Sequence, residues 1–233
     1  MFPVSDNSAP LPGGLEAITA SPGGWCNYTS AEESPETVNS ILDRMVEKGW
    51  ATEFGSHDAL CQHLGTQEVP LNKIGLISMA KADGTFKHRI IWDMRRSGVN
   101  AFTNQGQRIV LPRLRDAVMD GLDLLRECRS GESVQLAVID IQDAFHCIPV
   151  RPDEQRFQAT LFQGRYHVFR VVIFGSGSAP TIWGRVAAWI GRSTQALLPP
   201  AFARLQVFVD DPDRKSTRLN SSHSQQSRMP SSA

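Results

Sequence analysis

The chain has 233 residues, 24 Lys+Arg balanced by 24 Asp+Glu, and a hydrophobic fraction of 41%. That length suits one domain, or one domain with a smaller lobe, and the apolar content is enough to fill a core. No apolar run approaches the ~18 residues a membrane span needs, and residues 1–20 lack a secretory signal's basic start and apolar stretch, so the expectation is an intracellular protein, cytoplasmic or nuclear and not secreted, with no membrane partner.

Residues 1–33 are rich in Pro, Gly and Ser and read as a loop or disordered segment. Asn27-Tyr28-Thr29 is a formal glycosylation sequon, inert in a protein that is not secreted. Ser34-Pro35 then reads as an N-cap followed by Pro at the first helical position. Val38, Ile41, Leu42, Met45 and Val46 recur at helical spacing, and Gly49 ends that helix. His57, Cys61 and His63 lie close together but lack a second pair at ligand spacing, so they read as an ordinary loop rather than a zinc site. The cysteines (Cys26, Cys61, Cys128, Cys147) show no C-x-x-C spacing, which points to reduced thiols.

Apolar stretches 71–79 and 86–93 flank Asp83-Gly84, a hairpin turn. Leu114, Ala117, Val118, Gly121, Leu122 and Leu125 give a second amphipathic helix, closed near Gly131. Residues 134–141 read as a strand. Residues 159–162 and 166–173 form a hairpin around Gln163-Gly164. Residues 181–198 give a third helix, stopped by Pro199-Pro200, and 205–209 a last short strand. The order implies an α+β fold with an antiparallel sheet backed by helices.

Residues 213–233, DRKSTRLNSSHSQQSRMPSSA, have no period and almost no apolar content. They resemble the in-frame translation of a short-read sequencing adapter, with 213–223 and 227–233 as its arms and 224–226 as the index. They are read as a non-native disordered tail and set apart from the folded region at 34–212. Charge is uneven in what remains: residues 1–80 are net −7 and residues 81–212 net +4. A polyanionic partner suits the second part.

The chemistry sits in that second part. Asp140 ends the apolar run 134–139, and Asp210 and Asp211 follow Val207-Phe208-Val209. A carboxylate at the end of such a strand is costly to bury unless it is paired or bound to metal. Two adjacent acids repel, and a divalent cation relieves the repulsion. Three carboxylates converging from neighbouring strands can hold two ions about 3.5–4 Å apart for in-line phosphoryl transfer. Oxygen ligands suit Mg²⁺, with Mn²⁺ as a substitute. Taken singly, an Asp-Asp pair is more often a solvated turn. Arg185 and Arg192 share a helix face and can meet template phosphates, or simply face solvent.

Read together, these pieces resemble the fingers and palm of the reverse transcriptases of retrotransposons, over about 37–211. Glu47-Lys48-Gly49-Trp50 resembles the end of the finger helix. Residues 81–89 (KADGTFKHR) resemble the fingertip hairpin, whose Lys81 and Arg89 would grip the incoming triphosphate. Asp93-Met94-Arg95-Arg96 with Asn100 resembles the D-x-R…N signature, and Leu111-Pro112 the Leu-Pro element before the helix. Asp140 to Phe145 is similar to the first palm motif, Phe174-Gly175 with Ala179-Pro180 to the second, and Phe208 to Asp211 to the third.

The resemblance implies an RNA-directed DNA polymerase domain with a right-hand fold, incomplete and without a thumb. Asp140, Asp210 and Asp211 would be catalytic and hold the two Mg²⁺ ions. Lys81, Arg89, Asp143, Ala144, Phe145, Phe174 and Gly175 would bind nucleotide, and Gly177, Pro180 and Arg185 the template. Partners would be RNA template, DNA primer or duplex, and dNTP, and Phe145 would exclude a ribose 2′-hydroxyl. The loop Ser176-Gly177-Ser178 is smaller than is usual, and two extra residues separate Arg95 from Asn100. Because the motifs stop at Asp211, the chain itself is expected to be inactive. A non-catalytic retroelement remnant and an RNA-dependent RNA polymerase-like palm remain the alternatives. Lineage, oligomeric state and template preference are left open.

Overall fold

The computed structural model describes residues 26–103 and 109–208. Its elements in order are α1 (Thr29–Glu32), α2 (Pro35–Glu47), β1 (Ala51–Phe54), α3 (His57–Leu64), β2 (Lys73–Ala80), β3 (Phe86–Asp93), α4 (Leu114–Glu127), β4 (Ala159–Phe162), β5 (Arg165–Phe169) and α5 (Ala179–Leu197), with short 3₁₀ turns at Val99–Phe102, Ala144–Cys147 and Pro152–Gln158. The class is α+β, and the strands pair antiparallel in two sheets, β1-β5-β4 and β2-β3. The chain divides into two units, one of residues 26–103 and 138–183, the other of 109–137 and 184–208.

The first unit holds the core. The apolar stripe of α2 (Val38, Leu42, Met45) packs with Ile74, Leu76, Ile90 and Trp92 of the β2-β3 hairpin and with Phe162, Phe169 and Ile173. A second cluster joins Leu60 and Cys61 of α3 to Val69, Leu71, Leu161 and Val168. Arg165, at the start of β5, donates to Asn39 Oδ1 (2.6 Å) and Asp43 Oδ1 (2.9 Å) of α2 and to Glu53 Oε2 (2.8 Å) of β1. That fork fixes the helix over the β1-β5 edge, a geometry only a guanidinium supplies.

Two side chains link the sheets. Asn72 is fully buried just before β2. Its amide donates to the carbonyls of Phe157 (2.9 Å) and Ala159 (3.0 Å), and its Oδ1 accepts from Ser97 Oγ (2.6 Å). Its backbone joins in, N–H to Ala159 O (2.8 Å) and O from Thr160 Oγ1 (2.7 Å). Asn27 acts likewise: Nδ2 donates to Leu161 O (3.0 Å) and Oδ1 accepts from Ile74 N–H (3.0 Å).

The second unit, taken alone, is open. No residue of α4 is buried: Leu114, Val118, Leu122 and Leu125 all lie exposed. Residues 203–208 run past both helices of this unit. Gln195 of α5 donates to Ala203 O (3.0 Å) and accepts from Leu205 N–H (2.9 Å), Gln206 donates to Asp120 of α4, and a Cβ on Gly191 would meet Val207 Cγ2 at 2.5 Å.

Several expectations need correction. Residues 26–33 are not loose: Tyr28 N–H donates to Ile74 O (3.0 Å) and Ala31 is fully buried. The sequon's Asn27 is itself a buried linker. Residues 134–141 form no strand, and Leu136, Val138 and Ile139 are 85–91% exposed. A strand exists only when a ladder satisfies its N–H and C=O groups, and no described segment pairs with this one. Residues 205–208 form no strand either: the Leu205 N–H goes to the Gln195 side chain of α5 rather than to a neighbouring strand, and residue 209 lies outside the described residues. The ladder expected between these two runs is therefore absent among the described residues. The hairpin strand at 166–173 ends at Phe169, where β5 gives way to an isolated bridge between Val171 and Pro149. β1 and α3 were not anticipated, although Ser56, which caps Ala59 N–H (3.2 Å), and Gly65 at φ 66 bracket α3 in sequence.

Replacing Asn72 with Ala removes three side-chain hydrogen bonds inside the core and strands buried carbonyl and hydroxyl partners. Urea unfolding is expected to show a loss of about 3 kcal/mol, against about 1 kcal/mol or less for an exposed control such as Arg126→Ala.

Candidate nucleotide-binding site

The candidate site begins with β3. Trp92 donates its N–H to Phe174 O (3.1 Å), so the chain at 174 runs against the end of that strand. The next residue must then pass the Trp92 carbonyl. Gly175 does so at φ 113, and a Cβ there would overlap the Trp92 oxygen and carbon. Only glycine fits both the space and the dihedral. Asn100 fixes the loop from the other side: its Nδ2 donates to Gly175 O (2.9 Å) and its Oδ1 accepts from Gly177 N–H (2.8 Å). Ser176 and Ser178 are buried with their hydroxyls 3.1 Å apart. The small loop is thus pinned by one side-chain amide.

On this loop sits an aromatic cluster. Phe145 is 8% exposed and meets Phe174 edge to face, centroids 5.2 Å apart. The Arg89 guanidinium of β3 lies 5.7 Å over the Phe174 ring. His146 meets Phe174 at 5.6 Å and stacks on Trp50 at 4.4 Å. Asp143 begins the turn at φ 54 and binds Lys48 Nζ at 3.1 Å. Edge-to-face pairs and a cation over a ring give the cluster a defined geometry rather than a greasy contact.

Of the residues singled out from the sequence, Arg89, Phe145, Phe174 and Gly175 come together here, with Asp143 and Ala144 in the turn that carries Phe145. Gly177 is joined to them through Asn100. Lys81 lies apart, exposed in the hairpin turn, where its N–H bonds Thr85 O (2.8 Å). Pro180 is in the first turn of α5, and Arg185 and Arg192 are exposed further along that helix, in the second unit.

The carboxylates expected to hold metal fare differently. Asp140 is exposed on irregular backbone, not at the end of a strand. Asp210 and Asp211 lie outside the described residues. Among the described residues no group of three His, Cys, Asp or Glu side chains is placed to hold a metal ion. The three carboxylates remain an all-oxygen donor set, which fits Mg²⁺ by its chemistry.

Lys48, Trp50 and His146 were given no site role from the sequence. Their signal is weak there, because two of them follow a helix end nearly a hundred residues from the turn they touch.

No protein-family model matches the chain, and no curated protein matches it. Among solved structures, the fold is similar to prototype foamy virus protease-reverse transcriptase. A selenomethionine-labelled CSH mutant matches at TM-score 0.46 and 12% identity, covering 85% of this chain and 23% of that one. The native protein matches at 0.45 and 15%, covering 84% and 22%. A foamy viral protease-reverse transcriptase in complex with double-stranded DNA matches at 0.45 and 17%, covering 91% and 32%. The chain therefore spans between about a fifth and a third of the length of these structures.

Burial pushes the His146 imidazole down to about 4, the nearby Lys48 adding to the effect and Asp143 opposing it. Neither ring nitrogen has a hydrogen-bond partner among the described residues. The folded ring thus stays neutral where the unfolded ring, near 6.5, takes up a proton. The unfolded state binds more protons between about pH 6.5 and about 4, so stability falls as pH falls through that window and this group adds nothing below it. Burial also lowers the pKa of His167, despite the opposing pull of Glu53, giving a loss of the same sign. Urea unfolding at pH 7, 6, 5 and 4 is expected to show His146→Phe gaining on the wild type by at most about 3 kcal/mol at pH 4.

Proposed function

We propose that the chain carries the nucleotide-selecting part of a retroelement RNA-directed DNA polymerase, acting on dNTP with an RNA template and a DNA primer. The observation that carries this reading is convergence. Arg89, Asn100, Phe145 and Phe174-Gly175 come from separate stretches, and their contacts join them into one cluster in the first unit. A cation beside a ring shelf on a glycine loop suits a triphosphate, a sugar and a base in that order.

In this reading Arg89 and Lys81 neutralise the triphosphate. The turn at Asp143 and Ala144 carries Phe145 to the sugar, where its ring leaves no room for a 2′-hydroxyl. Gly175 lets the loop pass the Trp92 carbonyl, the backbone at Gly177, free of a side chain, admits close approach of base or template, and Pro180 and Arg185 would each contact template. Asp140, Asp210 and Asp211 would hold two Mg²⁺ ions, or Mn²⁺. Held by those carboxylates, such ions would supply Lewis acidity toward the primer 3′-hydroxyl and positive charge against the phosphate.

A second reading, a non-catalytic remnant that still binds nucleotide, is favoured by the exposed, unpaired backbone around Asp140. A ligand held on such backbone is poorly placed, and misplacement by about 1 Å can cost a hundredfold in rate.

Two measurements separate these readings. Calorimetric titration with dATP and ATP, each with Mg²⁺, is expected to show a preference for dATP on the order of a hundredfold, lost in Phe145→Ala. No preference in the wild type, or the same preference in Phe145→Ala, overturns the nucleotide-selecting role. Primer extension on a primed RNA template is expected to show no product from this chain. Extension that disappears in Asp210→Asn overturns the remnant reading.

A further inference from the structure

We infer that Lys48 and Trp50 are positioning residues for Phe145, and so set how strictly the chain tells a deoxyribonucleotide from a ribonucleotide; this rests on the sugar-facing role proposed for that ring. Phe145 does not hold itself in place. The turn that presents it starts at Asp143, whose φ of 54 lies in the left-handed region, which Asp enters more readily than most side chains but still at a cost. Such backbone persists only where its surroundings hold it.

Two contacts from one short stretch hold it. Lys48 Nζ lies 3.1 Å from Asp143 Oδ2, at the start of the turn. The same ammonium lies 4.1 Å over the Trp50 ring. Trp50 stacks at 4.4 Å on His146, the residue after Phe145. His146 in turn meets Phe174, which meets Phe145. Phe145 is therefore gripped before and after by groups that lie side by side.

The grip is anchored well away from the site. Lys48 and Trp50 flank Gly49, which turns the chain at φ 70 where α2 ends. Val38, Leu42 and Met45 fix α2 in the core, and Trp50 O accepts from Arg170 N–H (2.7 Å) just beyond β5. Loss of the Lys48–Asp143 contact frees the start of the turn, while α2 stays held by the core and Trp50 by Arg170 N–H. The ion pair itself is exposed, 41% at Lys48 and 36% at Asp143, so its loss should leave the fold nearly as stable as before. Its effect belongs to the position of the ring.

The test titrates wild type, Lys48→Met, Lys48→Arg and Phe145→Ala with dATP and with ATP, each with Mg²⁺, alongside thermal melts. Lys48→Met keeps the aliphatic stem and removes the charge. It is expected to narrow the preference for dATP about fivefold, mostly through tighter ATP binding, while melting with the wild type. Lys48→Arg is expected to restore the wild-type preference, which a merely structural stem would not distinguish. If Phe145→Ala loses the preference while Lys48→Met keeps it, the positioning role is wrong and the sugar-facing role stands. If neither variant alters the preference, both fall.

Discussion

Side-chain amides standing in for the backbone are the constraint on which the first unit depends. Among the described residues its two sheets share no full ladder, only a single parallel bridge between Leu71 and Ala159. Asn72 and Asn27 supply what the ladder lacks. Each offers an N–H donor and a C=O acceptor on one side chain, the same pair a peptide group offers, and each uses both toward separated segments. Asn100 repeats the device at the glycine loop. A buried amide that satisfies two strangers is a strong specifier, because losing it leaves both unpaired in a low-dielectric interior.

The candidate site follows from that frame. Asn72 ties the start of β2 to the chain at 157–160, and β2 carries β3 in full register from Lys73–Asp93 to Ala80–Phe86. Trp92 near the end of β3 then receives Phe174, and Gly175 passes where no side chain fits. Phe174 is thereby set as the ring on which Arg89, Phe145 and His146 converge. No step in this sequence uses the site's own charges. The shelf is a consequence of packing, and the cation over it is placed by strand register.

What could be read from the residues divides along the same line. Local signals came through: the Pro35 start and periodicity of α2 (though the Ser34 side chain makes no capping hydrogen bond), the Asp83-Gly84 and Gln163-Gly164 turns, and the apolar stripes of α4 and α5. Each is a property of a few neighbouring residues. β1 did not, being four residues whose strand state depends on β5. The linking asparagines did not either. Asn27 reads as half of a sequon and Asn72 as an ordinary polar residue, because their value lies wholly in partners up to 134 residues away. In the site, Gly175, Phe145 and Phe174 were marked by their motifs, whereas Lys48, Trp50 and His146 gain meaning only when α2 is packed.

The run 134–141 is the instructive failure. Its apolar content, β-branched residues and terminal Asp140 all argue for a buried strand, yet it is exposed and unpaired. Hydrophobic pattern states what a segment can bury, not whether a partner is there to bury it. A helix can form on its own hydrogen bonds and leave one face open, as α4 does, whereas a strand without a neighbour has no satisfied state to occupy. The consequence is a division of labour within the proposed polymerase. The proposed nucleotide selection would rest on contacts that close inside the first unit, through Asn100, Gly175 and the aromatic cluster. The proposed metal binding would rest in part on Asp140, which lies exposed on irregular backbone. In that proposal the contacts for sugar discrimination close within the first unit, whereas those for phosphoryl transfer include Asp140 on exposed, irregular backbone.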